Sequence, residues 1–204
     1  GERCNRMKSV LISIQPKWCE LIANGKKTVE VRKTRPKLDV PFKCYIYCTL
    51  SGSNEFFKED CCGDIAEWNR SRMALKKGKV IGEFVCDAIE YYTSNCTVFE
   101  SVLLPSPNEL EEMCLSLDKL NNYGTRGKLL YGWHISDLVI YDKPKKLSEF
   151  YKECEKSECE DCPYLHFENT PNSYEGWCEF GEKIPIKRPP QSWCYVMRKE
   201  DEGK

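Results

Sequence analysis

The spacing of apolar residues changes twice before residue 36. A first strand runs near Ser9 to Ile14. The next stretch has helical spacing: Trp18, Leu21 and Ile22 stand at i, i+3 and i+4, Pro16 suits a first turn whose N–H has no partner to lose, and Gly25 supplies the stop. From Lys27 to Thr34 the period falls to two, with Val29 and Val31 on one face of a strand and Thr28, Glu30 and Arg32 on the other. A charged row therefore follows directly on a helix end.

The same patterns divide the rest of the chain. Pro41-Phe-Lys-Cys-Tyr-Ile-Tyr-Cys-Thr-Leu50 predicts a strand over 42–50, with Cys44 and Cys48 on one face and in the core. Residues 51–78 are polar and broken by glycines, with a short helix expected around Ile65 to Leu75 and a tight turn at Lys76-Lys-Gly-Lys79. Lys79 to Thr93 predicts one long strand, in which Gly82 marks a bulge or bend that helps a barrel close. Ser106, Pro107 and Glu109 form a capping box, and Leu110, Met113, Cys114 and Leu117 predict the buried stripe of one helix ending at Asn121 to Gly124. Leu129 to Tyr141 predicts further strand, Leu147, Phe150 and Tyr151 a short amphipathic turn, and Trp193 to Val196 a last strand behind Pro189-Pro190.

Gly25-Lys-Lys-Thr-Val-Glu-Val-Arg32 resembles the G-x-K-x-x-E-x-R signature of the ASCH family, small β-barrel domains related to the PUA fold and associated with RNA. Weaker resemblance lies in the Pro16-Lys-Trp helix, in Gly132-Trp-His-Ile135 and in Ser192-Trp-Cys-Tyr-Val196. It implies an α+β fold: a small PUA-like β-barrel with flanking helices. Residues 1–6 read as an expression remnant or N-terminal extension, 7–150 as the barrel, 151–185 as an acidic cysteine-rich insertion and 186–198 as the closing strand.

Charge separates these regions more sharply than the total of −1 indicates. Residues 1–43 hold eleven Lys or Arg against four Asp or Glu, whereas 153–182 hold one against nine. A basic surface attracts phosphates and an acidic one repels them, so the motif-bearing part suits RNA or a nucleotide and the insertion a protein partner. No apolar run reaches the length of about 20 residues that spans a bilayer, and the start has no secretory pattern, so the expected location is cytoplasmic or otherwise intracellular.

The candidate RNA-contacting set is Lys26, Lys27, Thr28, Glu30 and Arg32, with Trp18 and His134. A carboxylate between two cations holds them in orientation, or accepts an exocyclic base amine, while Arg offers a planar fork to phosphate or a base edge. Trp18, Trp133 and Trp193 are aromatics on which a base could stack; each equally suits a core. The resemblance also implies two enzymatic alternatives. Some compact ASCH-like proteins are acetylcytidine amidohydrolases that use a Lys, a Thr three residues later and a distant Glu. Lys27 matches the Lys, but Glu30 occupies the Thr position. Others are linked to ribonuclease activity, for which Lys27 or His134 would supply acid–base chemistry.

Of fourteen cysteines, nine are scattered through residues 4–114 and read as buried thiols, and Cys61-Cys62 sits in a polar loop. Cys154, Cys159 and Cys162, followed by Cys178, have the grouping of a structural zinc site, with His166 able to replace one ligand and Cys194 packed in its strand. The same spacing matches part of a plant-type iron–sulfur arrangement, so a cluster is the alternative.

Overall fold

The computed structural model describes residues 8–50, 76–93, 103–125, 128–153, 165–167, 176–178 and 183–198. A seven-stranded sheet runs in the order β11 (Lys183–Pro185), β8 (Phe150–Glu153), β12 (Trp193–Arg198), β1 (Ser9–Ile14), β3 (Phe42–Cys48), β4 (Lys79–Cys86), β7 (Ser136–Lys145). A three-stranded sheet joins β2 (Val29–Arg32), β6 (Leu129–His134) and β5 (Ile89–Thr93), and β9 (Leu165–Phe167) pairs with β10 (Gly176–Cys178). The α-helices among the described residues are α1 (Pro16–Ala23), α2 (Pro107–Met113) and α3 (Leu117–Tyr123).

All six residues of β1 are buried because the strand is central and covered on both faces. It pairs parallel with β3 and antiparallel with β12. Val10, Ile12 and Ile14 share one core with Cys44, Ile46, Cys48, Phe84 and Trp133. Leu11 joins a second core with Tyr45, Tyr47, Val80, Phe150 and Val196. Trp133 is fully buried and meets Phe42 edge-on at 5.8 Å. Burying a large apolar side chain of this kind stabilises the fold by about 1.5–3 kcal/mol. Cys44 and Cys48 lie in the core, as their spacing predicts.

The ladders among the described residues do not close into a barrel; β11 and β7 are the outer members of the larger sheet. The expected strand over 79–93 is two strands, since β4 pairs with β3 and β7 while β5 crosses to β6 in the other sheet. The stretch 129–141 divides in the same way between β6 and β7, with Asp137 at φ 46°. Backbone bonds from His134 N–H to the Ala88 carbonyl and from Ile135 N–H to the Thr28 carbonyl hold this corner. Apolar periodicity continues across both breaks because both sheets face a core, and the change of partner leaves no mark in sequence.

Gly82 does sit at an irregularity: the β3–β4 register shifts beside it, and an added Cβ would lie 2.4 Å from the Val139 carbonyl oxygen. The capping box is also present, with Ser106 Oγ accepting from Glu109 N–H and the Glu109 carboxylate accepting from Ser106 N–H. The single helix expected behind it is two helices. Cys114 takes a left-handed φ of 54°, Leu115 N–H returns to the Leu110 carbonyl, and Ser116 starts α3 by accepting from Lys119 N–H. A non-glycine left-handed residue carries no breaker signal. The short helix expected near 65–75 and Cys61-Cys62 lie outside the described residues.

Candidate functional site

The end of α1 sets the position of the charged strand. Gly25, at φ 70°, donates to the Ile22 carbonyl and Lys26 N–H donates to the Leu21 carbonyl, which is the paired closure of a Schellman motif. Lys27 N–H also reaches the Leu21 carbonyl, so the chain turns tightly before β2 begins. The buried stripe of α1 includes Cys19 and Ile22, whereas Trp18 is only half-buried and Leu21 lies partly outside the core. The expected Trp18, Leu21, Ile22 face is thus rotated, and Trp18 stands at its edge.

β2 alternates as its sequence predicts. Val29 and Val31 enter a third core with Tyr92, Met113, Leu120 and Leu130. On the opposite side, Glu30 and Arg32 are buried together with Lys27. Glu30 bridges the two cations, with Oε2 3.4 Å from Lys27 Nζ and Oε1 3.1 Å from an Arg32 Nη. Lys27 Nζ donates to the Met113 carbonyl at 2.6 Å and lies 5.0 Å from the Trp18 ring centroid. Arg32 donates to the Ser13 carbonyl at 2.6 Å and reaches Ser192 Oγ at 3.5 Å. Its Nε–H is buried without an acceptor among the described residues. Removing two cations and a carboxylate from water is costly, and mutual pairing with added hydrogen bonds is what makes it tolerable.

These three side chains line a cavity of about 830 Å³. Ser13 to Trp18 form one wall, Leu115, Lys119 and Tyr123 another, and Pro189 to Gln191 a third. Pairing of β12 with β1 places the last wall, because Ser13 N–H donates to the Ser192 carbonyl and Ser13 Oγ to the Pro190 carbonyl. Among the described residues that line it, four cations, Lys17, Lys27, Arg32 and Lys119, face one carboxylate, Glu30. Burial raises the pKa of the Tyr123 phenol, and Glu30 adds to that rise while Arg32 opposes it.

Of the sequence-derived set, Trp18, Lys27, Glu30 and Arg32 meet in this cavity. Lys26 is exposed and Thr28 half-buried, and neither is among the lining residues. His134 is also elsewhere: it pairs across from Val29, and its Nδ1 lies 3.5 Å from Asp87 Oδ1 near the sheet corner. Trp133 belongs to the core, and Trp193 packs on it at 6.1 Å while donating to Thr34 Oγ1. Lys119 and Tyr123 are the additions. They project from a helix some ninety positions away from β2, so local spacing holds no sign of them; only their place after a helix break brings them here.

Cys154, Cys159 and Cys162 lie outside the described residues, and Cys178 ends β10, whose backbone alone is described. Among the described side chains no group of three or more His, Cys, Asp or Glu gathers as a metal site.

The molecule is thus a mixed α+β fold with a cavity lined by basic side chains and by Trp18 and Tyr123. The family model of the ASCH domain matches residues 12–200, and the chain belongs to that family. A crystal structure of ASCH from Zymomonas mobilis is similar in fold, with 19% identity, a TM-score of 0.50 and coverage of 95% of this chain and 90% of that one. A point-mutant form of the Zymomonas mobilis protein matches at 18% identity and a TM-score of 0.49, covering 96% and 92%. No curated protein gives a significant match.

Proposed function

We propose that this chain binds single-stranded RNA, or a nucleotide-sized piece of it, in the cavity around Lys27, Glu30 and Arg32. The charge balance of that cavity carries the reading. Among the described residues, four cations and one carboxylate form its charged lining, and the carboxylate is already shared between two of the cations. Such a lining favours an anion. Trp18 and Tyr123 supply the aromatic surface that unstacked bases use.

Binding is favoured over amide hydrolysis for a specific reason. The position that would carry a hydroxyl nucleophile holds Glu30, and the ammonium beside it is engaged by the Met113 carbonyl and by Glu30 itself. Titration of short single-stranded RNAs at two salt concentrations tests the reading, with Lys119→Ala as the exposed variant that leaves the buried ion network intact. Affinity should fall with salt as phosphate contacts release counterions, and the variant should show a shallower slope. Absence of binding at low salt would refute RNA as the ligand.

The same proposal includes one structural zinc in the insertion, held by Cys154, Cys159, Cys162 and Cys178. Residues 153–182 carry nine acidic side chains and few aliphatic ones, too little apolar surface to offset their ordering entropy.

A further inference from the structure

We propose that the loop Lys33 to Lys37 and the aromatic side chains fastened to it form a track outside the cavity, along which the flanking nucleotides of a single-stranded RNA lie while one nucleotide is held inside. The proposal rests on the RNA-binding reading of the cavity and extends it to the length of strand engaged. Three aromatic residues, from both sheets, are tied to this loop. Trp193 Nε1–H donates to Thr34 Oγ1 at 3.0 Å, an Arg35 Nη donates to the Tyr91 hydroxyl at 2.6 Å, and Lys37 N–H donates to the Tyr195 hydroxyl at 2.8 Å. Each bond uses the polar edge of a ring, which fixes the ring without occupying its faces. Tyr195 meets Trp193 edge-on at 5.5 Å, and Tyr91 meets Tyr131 edge-on at 5.6 Å.

The track begins at the cavity. Arg32, Tyr131 and Tyr91 stand abreast on β2, β6 and β5, on the sheet face that also carries Glu30. Arg32 is buried in the cavity lining, Tyr131 is half-buried and Tyr91 is 39% exposed, so the row rises from the cavity to solvent. Lys33 follows Arg32, and its ammonium lies 4.9 Å from the ring centroid of Tyr123, which lines the cavity. Charge then selects the occupant. Lys33, Arg35 and Lys37 put three cations into five residues, and no carboxylate stands in the chain between Glu30 and Asp39. A loop that only covered the rings would need their polar contacts and not these charges, whose mutual repulsion costs stability. Cations interleaved with aromatic rings suit a single strand, the cations meeting its phosphates and the rings its unstacked bases. An acidic peptide would match the cations and leave the rings without a role.

The experiment titrates the full chain with a three-nucleotide and a nine-nucleotide oligouridylate at low salt, by calorimetry. The longer RNA should bind about thirtyfold more tightly, a gain larger than its additional registers supply. Tyr91→Ala should lower the affinity for the longer RNA about tenfold, Tyr91→Phe should retain it because the ring is kept, and neither should alter binding of the shorter one. Lys37→Ala keeps the backbone bond to Tyr195 and removes only the charge, so it should make the salt dependence of the longer RNA shallower. Lys143→Ala, exposed on β7, is the control for general loss of positive charge and should leave both affinities unchanged. No gain with length, or a longer RNA indifferent to Tyr91→Ala, would overturn the track and leave the cavity reading standing. Equal losses for both RNAs in Tyr91→Ala would mark a structural effect and overturn it as well. A longer RNA sensitive to Tyr91→Ala but indifferent to Lys119→Ala would keep the track and remove the cavity. Competition by polyglutamate as strong as that of the longer RNA would mean that the cations act without the rings, and the proposal would fall. Absence of binding by either RNA would remove the track together with the RNA reading.

Discussion

The Lys27 ammonium donates to the Met113 carbonyl at 2.6 Å, across eighty-six positions of sequence. Met113 is the last residue of α2, so this contact places a cation at the negative end of a helix while the same cation faces the cavity. Thr28 N–H donates to the neighbouring Glu112 carbonyl, and the Cys114 thiol reaches the Lys26 carbonyl. The end of α2 and the start of β2 are therefore one joint, and Lys27 holds it.

Because of that joint, Lys27→Ala should reduce stability by about 3–5 kcal/mol, the usual cost of breaking a buried ion pair from one side. Urea unfolding measures it. A loss below about 1 kcal/mol would mean the pair behaves as a solvated one. Wild-type protein incubated with acetylated cytidine should show no turnover, whereas turnover that Lys27→Ala abolishes at a concentration where the variant remains folded would establish the amidohydrolase alternative.

Ser106→Ala should cost about 1 kcal/mol through loss of the α2 cap. The capping box also carries a pH dependence. Hydrogen bonding to Ser106 holds the Glu109 pKa below its ordinary value of 4.5, so its contribution is present above that value and is lost as pH falls through the lower folded one. Acid titration of the wild type against Glu109→Gln, followed by thermal unfolding, should show the two stabilities converging at the acid end. Parallel curves would remove Glu109 as the titrating group.

Gly82→Ala should destabilise the sheet by about 1–3 kcal/mol, because its Cβ would meet backbone on β7 and not a side chain that can swing away. Chemical denaturation of the variant tests this. An unchanged midpoint would mean that β4 and β7 can separate at no cost.

Elemental analysis of protein purified without added metal should find close to one zinc per chain, lost together with Cys159→Ser and Cys162→Ser. Iron in its place would favour the cluster. An ordered insertion with neither metal would remove the assignment.

How far the site was legible follows from the range of its contacts. The Glu30–Arg32 face of β2 and the glycine turn before it are local, set by side-chain alternation over a few residues, and both could be read directly from Gly25 to Arg32. The capping box of α2 was legible for the same reason. The breaks at 87–88, 114 and 135 were not. Each is a change of hydrogen-bonding partner or a left-handed backbone at a residue that does not require one, while the apolar pattern runs on regardless.

By itself the sequence determined which residues carry charge on β2, where α1 and α2 begin and that this is an ASCH-family chain. Tertiary structure alone decided what those charges face. Lys119 and Tyr123 come from α3, Pro189 to Gln191 from the approach to β12, and the Met113 carbonyl from the end of α2. The physical reason is that a cavity is the space left between elements. Its lining depends on how helices and strands distant in sequence dock, and no local spacing encodes that distance.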